Sequence, residues 1–141
     1  MAKIYTIGFS GKKQDEFIDI LNAVGVKILI DVRLWRAARF TPWASGANLA
    51  AVLGGRYRYM PELTPTKELL LGYKDGLIDW AGYERVFNGL LADRKIEGLF
   101  KSENLDGVCF LCAEKTADQC HRRLVAEYLA RHFSGLEIIH L

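Results

Sequence analysis

The sequence predicts a three-layer α/β fold with a mainly parallel sheet and helices on both faces. Short, continuous apolar runs at 4–7, 26–32 and 108–112 read as strands buried on both sides. Between them apolar residues recur at helical spacing, so strands and helices alternate along the chain. Length agrees: 141 residues, half of them hydrophobic, suffice for one core and are short for two. Residues 1–141 are therefore expected to form a single domain.

The first strand runs into Gly8-Phe9-Ser10-Gly11, after which Phe17, Ile20, Leu21 and Val24 mark a helix face that stops at Gly25. The second strand, 26–32, is broken at its end by Asp31 and Arg33, and with one helix between them the two strands make a right-handed βαβ unit. A less regular stretch follows, with a short helix around 49–53, a Gly54-Gly55 break and a candidate strand at 57–60. Thr64 reads as an N-cap with Pro65 at the first helical position, opening a helix through about Tyr73. Asp79 caps a longer helix, 80–96, with Trp80, Tyr83, Phe87, Leu90 and Leu91 as its buried stripe. Thr116-Ala117-Asp118-Gln119 has the Thr-x-x-Gln form of a capping box, which predicts a helix over about 118–132 with Cys120 in its first turn. A strand at 136–140 completes the alternation.

A net charge of +2 makes no global case for nucleic acid. There is no charged-then-apolar leader and no apolar run near the ~20 residues of a membrane span, so a cytoplasmic chain without membrane contact is expected. Three cysteines cannot all pair, and reduced thiols are expected.

In open parallel sheets ligands bind beyond the carboxyl ends of the strands. Here the first strand leads to Ser10, the second to Asp31 and Arg33, and the third to Cys112 and Glu114, with Cys120, His121, Arg122 and Arg123 heading the next helix. These residues are expected at one rim of the sheet. Thr6-Ile7-Gly8-Phe9-Ser10, Ile30-Asp31-Val32-Arg33, the segment Pro61 to Glu68, and Leu111-Cys112-Ala113-Glu114 with Cys120-His121-Arg122-Arg123 together resemble the domain-of-unknown-function family 488, end to end. The resemblance implies a Rossmann-like layered α/β fold and a site at these motifs, without a known activity. Many members carry a histidine where this chain has Phe9, so no role for that histidine transfers.

Cys109 and Cys112 have Cys-x-x-Cys spacing, but residues three apart on a strand point to opposite faces, with Cα atoms ~10 Å apart. Cys109 is then a core residue and Cys112 pairs better with Cys120. A metal is not expected, because adjacent Cys120 and His121 diverge by ~100° on a helix. No Gly-x-Gly-x-x-Gly or P-loop is present, and no cofactor is assigned.

The expected function is an enzyme acting on an anionic substrate related to phosphate, nucleotide or nucleic acid. Cys112, Glu114, Cys120, His121 and Asp31 are its catalytic candidates, and Ser10, Arg33 and Arg122 its substrate-binding candidates. Two alternatives remain. One is a non-catalytic nucleic-acid-binding module, since Arg33, Arg36, Arg39, Arg56 and Arg58 are interleaved with Trp35, Phe40, Trp43, Tyr57 and Tyr59. The other is a thiol redox or metal protein.

Overall fold

A computed structural model describes residues 2–141. Its five strands are β1 (Ala2–Gly8), β2 (Ile28–Asp31), β3 (Tyr57–Tyr59), β4 (Val108–Cys112) and β5 (Leu136–His140). They form one all-parallel sheet in the order β3-β2-β4-β1-β5. β4 inserts between β1 and β2, so the first two strands share a sheet without touching.

The helices are α1 (Gln14–Val24), α2 (Gly46–Leu53), α3 (Lys67–Lys74), α4 (Trp80–Asp93) and α5 (His121–His132). Strand alternation sorts the core into two layers. Tyr5, Ile7, Leu29, Cys109 and Leu111 face α1 and α2 through Phe17, Leu21, Leu49 and Leu53. Ile4, Ile30, Phe110 and Cys112 face α3, α4 and α5 through Leu69, Tyr83, Phe87, Leu91, Leu124 and Val125. Each fully buried aliphatic or aromatic side chain contributes about 1.5–3 kcal/mol, so both helical layers are held by many small increments. Cys109 and Cys112 thus lie on opposite faces of β4, as strand geometry requires.

Several local expectations change. α1 ends as expected at Gly25, whose φ of 74° is the left-handed cap conformation. The cap of α3 is Thr66 rather than Thr64: its side chain accepts from the Leu69 amide at 3.1 Å, while the Thr64 hydroxyl donates to the Pro61 carbonyl. Asp79 does cap its helix, accepting from the Gly82 amide at 2.8 Å, but α4 ends at Asp93 and Ile96 belongs to a separate 3-10 turn. The capping box at Thr116 does not form. α5 begins three residues later than expected, and Cys120 is its N-cap, in extended conformation, rather than a first-turn residue. The physical reason is the neighbouring chemistry: the Cys120 side chain is turned toward Cys112 and does not cap.

The sheet also sets where a site can form. α1 leaves β1 toward one face and α5 follows β4 toward the other, although β1 and β4 are neighbours. Both connecting loops leave from the carboxyl edge, where ligands bind in parallel sheets.

Candidate functional site

The register places Asp31 beside Leu111 and Gly8 beside Cys112, so the three strand ends finish at one rim. The loops after β1 and β4 touch there, the Ser10 amide donating to the Ala113 carbonyl at 3.1 Å. Gly8 makes this approach feasible, because a Cβ at that position would overlap the Glu114 carbonyl and the Arg122 guanidinium.

At the rim the sulfurs of Cys112 and Cys120 are bonded, one from a strand end and one from a helix N-cap, with Cα atoms 7.6 Å apart. Cys109 lies apart from this pair, deep in the opposite layer, and burial pushes its thiol up. Beneath the pair lies Arg122, fully buried. Its Nη1 donates to the Glu114 carbonyl at 2.5 Å, to Cys112 Sγ at 3.3 Å and to Cys120 Sγ at 3.8 Å, and its Nε donates to Thr6 Oγ1 at 3.2 Å. Thr6 Oγ1 in turn lies 2.6 Å from His140 Nδ1, and burial lowers the His140 pKa. Arg122 is therefore a support under the sulfurs, not a surface anion ligand.

Asp31 is wholly buried and paired with Arg33, whose Nε and Nη2 donate at 2.9 and 2.7 Å; the Arg33 amide and the Tyr57 hydroxyl add donors at 3.1 and 2.6 Å. Burial, and then the hydrogen bond that Tyr57 donates to the Asp31 carboxylate, push the phenol up to about 12. His121 packs edge-on against Phe87 and sits 2.6 Å from the Val32 carbonyl through Nε2. Burial drives its pKa down to about 4, so near neutral pH the ring is uncharged and its Nε2–H donates to that carbonyl. His121 thereby ties the start of α5 to the end of β2.

A cleft of about 190 Å³ opens above the cysteine pair. Of the expected site residues, Arg33, Cys112, Glu114, Cys120 and His121 line it; Ser10, Asp31 and Arg122 do not. The expectation missed its walls, which are Trp35, Tyr73, Trp80 and Tyr83, with Lys74 and Gln119. Trp80 stacks on Tyr83 at 5.0 Å between centroids, Tyr73 meets both rings, and its hydroxyl donates to Gln119 Oε1 at 2.9 Å. Trp80 and Tyr83 read in sequence as core stripe. The usable signal was excess aromatic content at the start of that helix, since Trp80, Tyr83 and Phe87 succeed one another at spacings of three and four. No group of three or more potential metal ligands occurs among the described residues.

A family model described as Domain of unknown function DUF488 matches residues 13–129. No curated protein and no solved structure matches the chain.

Proposed function

This chain belongs to the DUF488 family, and we propose that it is a thiol-dependent enzyme in which Cys112 and Cys120 alternate between dithiol and disulfide beneath a planar, anion-bearing substrate. The observation that supports this reading is the meeting of two sulfurs at the floor of an open cleft, above a buried guanidinium that donates to both. A disulfide serving only as a staple would gain nothing from a cleft above it or from an arginine desolvated below it.

In the dithiol form, negative charge on either sulfur meets the Arg122 N–H groups, and charge on Cys120 also meets the N-terminal end of α5. That sulfur attacks one sulfur of a substrate disulfide, displacing the first substrate half as its thiolate. The second cysteine then attacks the resulting mixed disulfide at the protein sulfur, releasing the other half as a thiol and closing Cys112–Cys120. Two protein thiols each lose a proton, and the substrate gains two electrons. An external dithiol resets the pair. Trp35, Tyr73, Trp80 and Tyr83 suit a planar group, while Lys74 at the cleft supplies positive charge for an attached carboxylate or phosphate.

The test uses dithiobis-nitrobenzoate, an aromatic disulfide that carries carboxylates. The reduced protein is expected to release two nitrothiobenzoates and end as an intramolecular disulfide. One of Cys112→Ser and Cys120→Ser is expected to stop at one release with a stable mixed disulfide. A reduced wild-type protein in which neither Cys112 nor Cys120 reacts faster than Cys109 would refute the reading.

The second alternative from the sequence was a thiol redox or metal protein, and its thiol half is the reading adopted here. The nucleic-acid alternative rests on a different surface.

A further inference from the structure

We propose that the face between α2 and the cleft mouth is a docking surface for single-stranded nucleic acid, a reading that goes beyond the thiol chemistry and does not depend on it. From Val32 to Pro61 the chain carries five arginines and no acidic residue. The one acid just before this stretch, Asp31, is neutralised in the interior by Arg33. The segment therefore presents uncompensated positive charge although the whole chain is close to neutral.

Its side chains are distributed unequally. Arg56 is tied to Asn22 Oδ1 and the Val26 carbonyl, and Arg58 lines a separate cavity with Lys27 and Lys101 near the amino end of the sheet. Trp43 is packed against Phe9 and Phe17. Those three residues, and Arg33, are already engaged. What remains is Trp35, Arg39 and Phe40, beside an Arg36 that rests on Tyr59 and a Tyr57 whose hydroxyl is bonded to Asp31. Phe40 is 94% exposed and Trp35 48% exposed, the highest exposures among the aromatic residues of the core-bearing chain segments. A groove of about 640 Å³ runs along Trp35, Arg36, Gly46, Ala47, Tyr57 and Tyr59. Within it the Arg36 guanidinium lies over the Tyr59 ring, 3.8 Å from its centre.

The groove and the thiol cleft share Leu34 and Trp35 as a common wall, and on the cleft side Lys74 sits over the Trp35 ring at 5.3 Å. Exposed rings with guanidinium and ammonium groups beside them suit a strand of bases and phosphates. Every base has a face to offer Trp35 or Phe40, and Arg36, Arg39 and Lys74 can each meet a phosphate. A duplex, whose bases are enclosed, cannot use exposed rings in this way, and a protein partner would more usually match such charge with fixed carboxylates.

The experiment measures anisotropy of labelled oligo(dT) and oligo(U) with the full chain at increasing salt. Three phosphate contacts predict a log–log salt slope of about −2, so that binding weakens roughly 15- to 20-fold between 50 and 200 mM salt. The exposed double variant Arg39→Ala/Phe40→Ala is expected to bind at least tenfold more weakly, while Lys13→Ala, an exposed cation on α1, binds as wild type. Comparison of the two oligonucleotides decides between DNA and RNA, and tighter binding to either supports the proposal. Failure to bind either strand at 50 mM salt, equal or tighter binding of duplex, or unchanged binding by the double variant would overturn it. So would loss of binding to anionic lipid vesicles in the double variant without any strand binding by the wild type. The nitrothiobenzoate release of the double variant stays at two in all these cases if the thiol reading holds, so the two readings fail separately.

Discussion

Removing the Arg33 side chain strands a carboxylate that has no access to water. Asp31 is 0% exposed and takes four donors, two of them from the Arg33 guanidinium at 2.7–2.9 Å. Breaking a buried ion pair from one side costs about 3–5 kcal/mol, because the remaining charge is left uncompensated. Arg33→Ala keeps the amide of residue 33 on Oδ1 and the Tyr57 hydroxyl on Oδ2, and these two donors place the loss at the lower end, about 3 kcal/mol. With a urea m-value of about 2 kcal/mol per molar, the midpoint falls by about 1.5 M. Asp31→Asn in the Arg33→Ala background removes the stranded charge, so the double variant is more stable than the sum of single losses by about 2 kcal/mol. Equilibrium urea unfolding of the four proteins of this cycle measures both quantities. An Arg33→Ala loss below about 1 kcal/mol, or additive single losses, would refute the argument that this pair is an internal brace.

His121 supplies a pH dependence of defined sign. Its folded pKa of about 4 lies below the ordinary 6.5, so between those values the unfolded chain binds a proton that the folded chain refuses. The stabilisation is complete above pH 6.5 and is lost as pH falls toward 4, by about 2 kcal/mol at pH 5 and about 3 kcal/mol in all. Urea midpoints from pH 7 to 4.5 should show this slope, and His121→Gln should flatten it; equal slopes would remove His121 as the cause. Gly8→Ala should destabilise by about 3 kcal/mol or more, since its Cβ meets backbone at Glu114 and not a flexible side-chain end; a melting temperature unchanged from wild type would contradict the close approach. Alkylation mapped by mass spectrometry on the reduced, folded protein should leave Cys109 unlabelled while Cys112 or Cys120 reacts, because Cys109 is fully buried. Labelling of Cys109 at a comparable rate would show that the layer under α1 opens readily.

The alternation of apolar runs determined the layer architecture. A strand such as Val108 to Cys112, apolar at every position, must be covered on both faces, and only helices on both sides of a parallel sheet do that. The same pleat logic separated Cys109 from Cys112, and strand ends marked by Asp31, Arg33, Cys112 and Glu114 located the rim. Local signals failed where several candidates competed: Thr64 and Thr66 are equally good caps by type, and only the turn from Pro61 to Thr64 consumes the first of them. The tertiary structure alone decided which charged groups turn inward. Arg122 and Arg33 look alike in sequence as anion ligands. Burial beneath the sulfurs spends the first on Cys112, Cys120 and the Glu114 carbonyl, and burial beside Asp31 spends most of the second. It likewise turned Tyr73, Trp80 and Tyr83, read as a core stripe and a helix end, into cleft walls by bringing α3 and α4 to the rim near residue 35. Periodicity along a chain reports which face of an element is apolar, whereas the use of a charge or a ring depends on what distant segments bring within a few ångströms of it.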